Sequence, residues 1–312
     1  SRKNEILSFI RSGLEDFSIS RSRERSLGWG IGVPNNDTQI IYVWFDALLN
    51  YLTAIGYSYD EEKFNKWWPA DLHVIGKGIT RFHAVYWPAM LLSAGLTLPQ
   101  KIFVHGYLTI NGQKISKSLG NIVNPSDLVK KYGTDAVRYF LLREIPSAED
   151  GDFTYEKFKS RYNADLADDL GNNVNRILST AGINGVKLTN LNRKDALQEW
   201  DKRGLWRYLD NFEFSKALEL IWQGLSPLVD INKGVDSSAV VGISSISSSI
   251  EVNRPFDRNV NKDKRRKDSY NHLMELWRIA IALEPFLPET SGKIIRQLEG
   301  EKSELLFPKT QV

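Results

Sequence analysis

The sequence has no cysteine. That excludes a disulfide framework, a Cys-liganded metal and a thiol nucleophile, and it fits a reducing cytoplasm. Neither sign of charge dominates: 41 Lys and Arg stand against 38 Asp and Glu, a net charge of +3. Charge alone therefore does not announce nucleic acid as a partner. No hydrophobic run is long enough to span a bilayer. The most apolar stretch, 84–98, is interrupted by Pro88 and falls short of the ~20 residues a membrane helix needs. Residues 1–11 are charged and mixed, without the order of a secretory signal. They also lack an initiator methionine, so a missing upstream segment is expected. What is present is globular: 312 residues, 42% hydrophobic, 25% charged and 11% aromatic. This suffices for about two domains with their own cores and excludes a disordered, collagen-like or coiled-coil chain.

The first half alternates strand-like and helix-like segments. Residues 40–45 (IIYVWF) form a continuous apolar run expected as a strand covered on both faces, with Asp46 capping a helix to about 57. A second short strand is expected at 72–75, closed by Gly76-Lys77-Gly78, and a helix over 79–94, offset at Pro88. A third strand, 101–104, ends at His105-Gly106. Strand, helix, strand, helix, strand predicts a parallel sheet in an open α/β fold. Asn111-Gly112 then signals a hairpin, 114–121 a loop, and Asn124-Pro125 a helix that Gly133 stops. From Gly151 onward the strands disappear, and helical periodicity covers 155–181, 214–229, 269–283 and 288–298. The expected division is therefore an α/β domain over 1–150 and a helical bundle over 151–312.

In open α/β sheets ligands bind beyond the carboxyl ends of the strands, which here are 44–46, 76–78 and 105–106. Gly76, Lys77 and Gly78 form a turn before a helix that can bring N–H groups and a cation to phosphate, although such turns are also common without a ligand. His83 and Trp87, four apart, share a helix face. With Trp44 and Tyr51 they are ordinary core aromatics or the lining of one site at the same sheet edge. The segment 114–121 (KISKSLGN) places Lys114 and Lys117 on a loop. Two flexible ammonium groups there can follow a phosphate chain and neutralise charge as pyrophosphate leaves. By composition alone the same segment is a solvated loop.

The order of those residues resembles the Lys-Met-Ser-Lys-Ser signature of class I aminoacyl-tRNA synthetases, with Ile115 in place of Met. IIYVWFDALLNY (40–51), FHAVYWPAM (82–90), FVHGYLTINGQKISKSLGN (103–121) and DGDFTYEKFKSRYNADLADDLGNNVNR (150–176) resemble the methionyl-tRNA synthetase family. The resemblance runs from about 17 to 298. It implies the second half of a Rossmann-like catalytic domain followed by an α-helical anticodon-binding bundle. Trp44, Tyr51, His83 and Trp87 match the methionine side-chain pocket. Arg21 matches an arginine near the reacting carboxylate and phosphates, and Lys114 and Lys117 match the lysines acting in the transition state. The ATP site is implied at Gly76, Lys77, Gly78, His105 and Leu108, with Lys114 and Lys117 beside it. ATP is then a substrate, with Mg2+ expected alongside it. Asn172 and Arg176 match anticodon-contacting positions, and Phe256, after Pro255, replaces the family's stacking Trp. The implied partners are methionine, ATP, tRNA(Met) and a missing N-terminal catalytic half, with no membrane.

Three departures qualify the match. The family's His-Ile-Gly-His motif and its zinc-bearing segment are absent from these 312 residues. Gly78 stands where the family often has an Asp that holds the ATP ribose. Ile115 for Met conserves volume. Two readings remain open: a synthetase portion active with its missing half, and a non-catalytic tRNA-binding module derived from a synthetase. The basic residues Lys262, Lys264, Arg265, Arg266 and Lys267 suit either tRNA phosphates or a solvated helix start.

Overall fold

The computed structural model describes residues 2–310 apart from 117, 119, 190, 230–260 and 303. The chain divides into two compact units, Ser1–Tyr107 and Leu108–Val312.

The first unit begins with helix α1 (Arg2–Arg11), which buries Ile6. Strands β1 (Ser20–Ser22), β2 (Gly32–Val33) and β3 (Asn36–Ile41) form an antiparallel sheet in the order β1-β3-β2. Here the structure corrects the sequence reading. The apolar run at 40–45 is not one strand: β3 ends at Ile41 and helix α2 (Val43–Thr53) begins two residues later. A short apolar run fits a buried helix as well as a strand, and periodicity cannot separate them. What decides is packing, because α2 buries Leu48 and Leu52, four apart on one face, against Trp87 and Leu91. Asp46 lies in the first turn of α2, not at its cap, and there its charge still suits the helix N-terminus.

Helix α3 (Glu61–Trp67) follows, its first turn capped by the Asp60 carboxylate, which accepts from Lys63 N–H at 3.0 Å. Strand β4 (His73–Gly76) leads through a 3-10 turn at Lys77–Ile79 and a π turn at Phe82–Tyr86 into α4 (Trp87–Ser93). The offset expected at Pro88 is this change of helix type. Proline in the first turn of α4 costs little there, and the wide turn lies just before it. Strand β5 (Ile102–His105) pairs parallel with β4, Gly76 opposite His105. The parallel sheet thus has two of the three strands expected; β3 is engaged on both edges by β1 and β2 instead.

The second unit opens with β6 (Leu108–Ile110) and β7 (Gln113–Lys114), an antiparallel hairpin. Its turn residues Asn111 and Gly112 have φ of 51° and 72°, the left-handed geometry that two-residue hairpins favour. The Asn124 side chain caps α5 (Pro125–Tyr132), and Gly133, at φ 86°, separates it from α6 (Thr134–Arg143). Strand β8 (Gly151–Phe153) pairs parallel with β6. The strands therefore do not disappear at Gly151, as the sequence reading expects, and β8, α5 and α6 share the core of the helices that follow.

Those helices are α7 (Tyr155–Arg161), α8 (Asn172–Ile183), α9 (Arg193–Lys202), α10 (Leu205–Asp210), α11 (Phe214–Val229), α12 (Lys262–Leu283) and α13 (Pro288–Leu298). A π-helical stretch, Tyr162–Gly171, joins α7 to α8. The stripe read from the sequence, Leu166, Leu170, Val174, Ile177 and Ala181, is wholly buried. The break after α12 is clamped from α6: Arg138 donates to the carbonyls of Pro285 and Phe286 at 2.7 Å, and buried Asp135 accepts from Thr290 N–H at 2.6 Å. That carboxylate meets the first turn of α13, where unpaired N–H groups favour a negative charge.

Candidate functional site

In the first unit, α2 carries Trp44 and Tyr51, while the π turn and the start of α4 carry His83 and Trp87. The structure brings these four together. Trp44 stacks on Phe82 with centroids 4.5 Å apart and meets His83 edge-on at 6.1 Å. The Tyr51 hydroxyl lies 3.0 Å from His83 Nε2 and its ring 6.0 Å from Trp87. Tyr51 is 36% exposed whereas Trp87 is fully buried. His83 Nδ1 faces the Ile79 carbonyl at 3.1 Å. A carbonyl only accepts, so Nδ1 carries the hydrogen. In neutral His83, Nε2 then accepts from the Tyr51 hydroxyl. Burial holds His83 below the ordinary histidine range, partly offset by the bond to that carbonyl. Burial also raises the Tyr51 phenol.

One residue of this cluster was missed by sequence reasoning. His73, 5% exposed, accepts from the Trp87 indole N–H at 3.2 Å and lies 4.4 Å from the Tyr51 ring. Its signal was available: it is the polar member of the otherwise apolar strand segment 72–75.

Arg21, on β1, donates to the carbonyls of Ser18 and Ser20 at 2.9 and 2.7 Å, with its guanidinium 3.7 Å from the centroid of the Tyr42 ring. Tyr42 in turn lies 6.4 Å from Phe82, the ring on which Trp44 stacks. A continuous set of aromatic contacts thus links Arg21 to the four residues.

At the β4 and β5 ends, Gly76 faces His105 across the parallel pair. His105 Nδ1 donates to the Gly106 carbonyl at 2.8 Å. The Lys77 ammonium sits 4.7 Å above the Tyr107 ring, a cation–π contact. A Cβ built at Gly78 would collide with the Tyr107 hydroxyl. The glycine that departs from the family pattern is therefore matched to its neighbour: any side chain there requires Tyr107 to move.

Leu108 and Lys114 belong to the second unit. Leu108 pairs with Gly151, and Lys114 ends the hairpin with its side chain exposed. Asn121 ties the following loop: its amide donates to the Lys114 carbonyl at 3.0 Å and accepts from Ser116 N–H at 2.9 Å. The Ser116 and Ser118 hydroxyls are 2.8 Å apart. Lys117 lies outside the described residues, as does Phe256. Asn172, exposed at the start of α8, donates to Asp168 at 3.3 Å, and Arg176 lies one turn further along, half-buried. The five cations read as a helix start occupy the first turns of α12, largely exposed. A helix N-terminus opposes positive charge, so they gain nothing from the helix dipole.

The comparisons with known proteins agree with the motifs. The family model for tRNA synthetases class I (M) matches residues 1–178. The methionine–tRNA ligase of Thermotoga maritima is 39% identical over 312 aligned residues, covering 96% of this chain and 46% of that protein. That of Bacillus subtilis is 41% identical, covering 96% and 44%. Among solved structures, Mycobacterium tuberculosis methionyl-tRNA synthetase in complex with methionyl-adenylate superposes with a TM-score of 0.70 at 38% identity, over 94% of this chain and 56% of that one. The chain spans about half the length of the curated relatives it matches. By a family match over more than half of its residues, and by these similarities along nearly all of it, the chain belongs to the class I tRNA synthetase (M) family.

Proposed function

We propose that the chain forms part of a methionine–tRNA ligase, activating methionine with ATP and transferring it to tRNA(Met) together with the half that carries the His-Ile-Gly-His motif. The observation that carries this reading is the convergence of Trp44, Tyr51, His83 and Trp87, whose rings suit a polarizable thioether. The domain roles follow the sequence reading: 1–150 contributes to the Rossmann-like catalytic fold and 151–312 to an anticodon-binding bundle, in a cytoplasmic protein.

In the first step a methionine carboxylate oxygen attacks the α-phosphorus of ATP. The bond from that phosphorus to the bridging oxygen breaks, and pyrophosphate leaves. No protein nucleophile is required. Arg21, fixed by two carbonyls and an aromatic face, orients the carboxylate and phosphates, while Lys114 and Lys117 neutralise the leaving pyrophosphate. By the resemblance, Gly76, Lys77, Gly78 and His105 of the first unit are assigned to the nucleotide, and so, separately, is Leu108 of the second. In the second step a terminal ribose hydroxyl of the tRNA attacks the methionyl carbonyl and AMP leaves. Asn172, Arg176 and Phe256 read the splayed anticodon bases by amide, guanidinium and stacking contacts. Among the described residues no group of three or more His, Asp or Glu is placed to hold a metal. Mg2+ arriving with ATP would rest on phosphate oxygens, and no step is assigned to it.

Gly78, which stands where the family often has an Asp that holds the ATP ribose, favours a second reading, a tRNA-binding module without catalysis. Methionine-dependent ATP–pyrophosphate exchange separates the two. The chain alone is expected to show none, and the chain mixed with a His-Ile-Gly-His half to show it. Exchange by the chain alone would remove the requirement for that half, whereas tRNA binding without exchange in the mixture would select the second reading.

A further inference from the structure

We infer that His73 is a positioning residue for the methionine side chain, acting through Trp87 and Tyr51. The inference rests on the reading that Trp44, Tyr51, His83 and Trp87 receive that side chain. An indole N–H can only donate, so the contact of Trp87 Nε1 with His73 Nε2 at 3.2 Å requires that nitrogen to be unprotonated. A neutral His73 then carries its hydrogen on Nδ1. Burial holds His73 below the ordinary histidine range, and the nearby His83 pushes the same way.

His83 adopts the same tautomer for a different reason, the Ile79 carbonyl at its Nδ1. The two rings, 6.2 Å apart, therefore do the same thing. Each takes the hydrogen of an aromatic wall: His73 from the Trp87 indole, His83 from the Tyr51 hydroxyl. The donors of both walls are thereby committed to histidines. What these two walls offer a ligand is ring surface and the Tyr51 oxygen lone pairs, which suits a thioether.

His73 also sets geometry. Trp87 is fully buried and can rotate only if its N–H loses a partner or finds another. The Tyr51 ring leans on the same imidazole at 4.4 Å, tilted by 42°. One buried side chain thus supports two of the four walls.

The test has two parts. In the chain alone, 15N NMR of the histidines and indoles reads the tautomer, with Trp87 assigned through Trp87→Phe. Nδ1–H on His73 is expected, together with an indole shift in His73→Leu. In the mixture with the complementary half, pyrophosphate exchange reads KM. His73→Leu is expected to raise KM for methionine about tenfold, leaving KM for ATP unchanged. His73→Gln, whose side-chain carbonyl can accept the indole hydrogen, is expected to stay within about threefold of wild type. In a Trp87→Phe background His73→Leu should add less than it does alone, because the shared indole contact is already gone and only the support of the Tyr51 ring remains to be lost.

A protonated Nε2 on His73 overturns the inference. So does an unchanged methionine KM in His73→Leu, or an equal rise in both KM values. Should His73→Leu fail to fold, the His73→Gln KM values and the wild-type tautomer decide alone. No methionine-dependent exchange in the wild-type mixture would instead sink the underlying reading, while the NMR arm still reports the contact.

Discussion

The two units solve the problem of burial differently. The second has one continuous core that runs from Ile110 in the hairpin to Phe307 near the end, with Trp200, Leu218, Leu276 and Phe286 sealed inside. The first has a small cluster, Leu48, Leu52, Trp68, Trp87 and Leu91, and leaves Leu27 96% and Trp29 80% exposed. Beside that cluster it carries polar–aromatic contacts: two buried histidines, an indole and a phenol joined by directed hydrogen bonds. The lesson is that the aromatic cluster of Trp44, Tyr51, His83 and Trp87 sits in the unit with less core. Directed bonds hold those rings where a purely apolar core would let them repack, at the cost of buried polar groups that must stay paired.

The sharpest way to test the contrast is to remove core from the second unit. Trp200 is fully buried, donates to the Arg278 carbonyl at 2.8 Å and carries the Arg203 guanidinium on its ring at 4.7 Å. Trp200→Ala is expected to destabilise by about 3–5 kcal/mol. Urea titration followed by helical circular dichroism checks this. A shift that matches one in the first unit's aromatic signals would mean that the units unfold together, and the contrast would break.

A smaller effect comes from acid. His73 and His83 are held below the ordinary histidine range, which unfolding restores to about 6.5. Between that value and the folded ones, the unfolded chain binds more protons. Stability from these groups is thus complete above about pH 6.5 and is lost as the pH falls. In the second unit His272 shifts the same way by burial, with Asp268 opposing. The first unit, with two such histidines over a smaller core, should lose more stability between about pH 7 and pH 5. Near-ultraviolet and far-ultraviolet midpoints at both pH values measure it. Equal losses would erase the difference.

The smallest expected change is at the surface. Trp29→Ser and Leu27→Ser should move the unfolding midpoint by no more than about 0.5 kcal/mol, because little is buried there. Light scattering should fall in the same variants, since a contiguous exposed apolar loop promotes association. A large stability loss would show that Trp29 belongs to the first unit's core after all.

Much of this was legible beforehand. Asn111-Gly112 announced its hairpin, Asn124-Pro125 its helix start and Gly133 its stop, because turn and cap residues act through local backbone geometry. The helix-face stripe from Leu166 to Ala181 was read correctly, although a π-helical stretch carries its first part. Residues 42–45 were not legible: strand and buried helix make the same apolar demand, and the choice fell to Leu48 and Leu52 meeting Trp87 and Leu91. Strand β8 was not legible for a related reason. Strand β8 comes late in the sequence yet pairs with β6, which ties the hairpin to the helical core.

The sequence by itself determined the local signals, the order of the motifs and, through KISKSLGN and its neighbours, the family. Spacing also sufficed to put His83 and Trp87 on one face. Only the tertiary structure decided that His73 lies behind them, that its Nε2 takes the indole hydrogen, and that Tyr107 fits against Gly78. The physical reason is range. Propensity, caps and periodicity act within a few residues, whereas a tautomer, a buried donor and a steric fit depend on which distant side chains arrive at the same place.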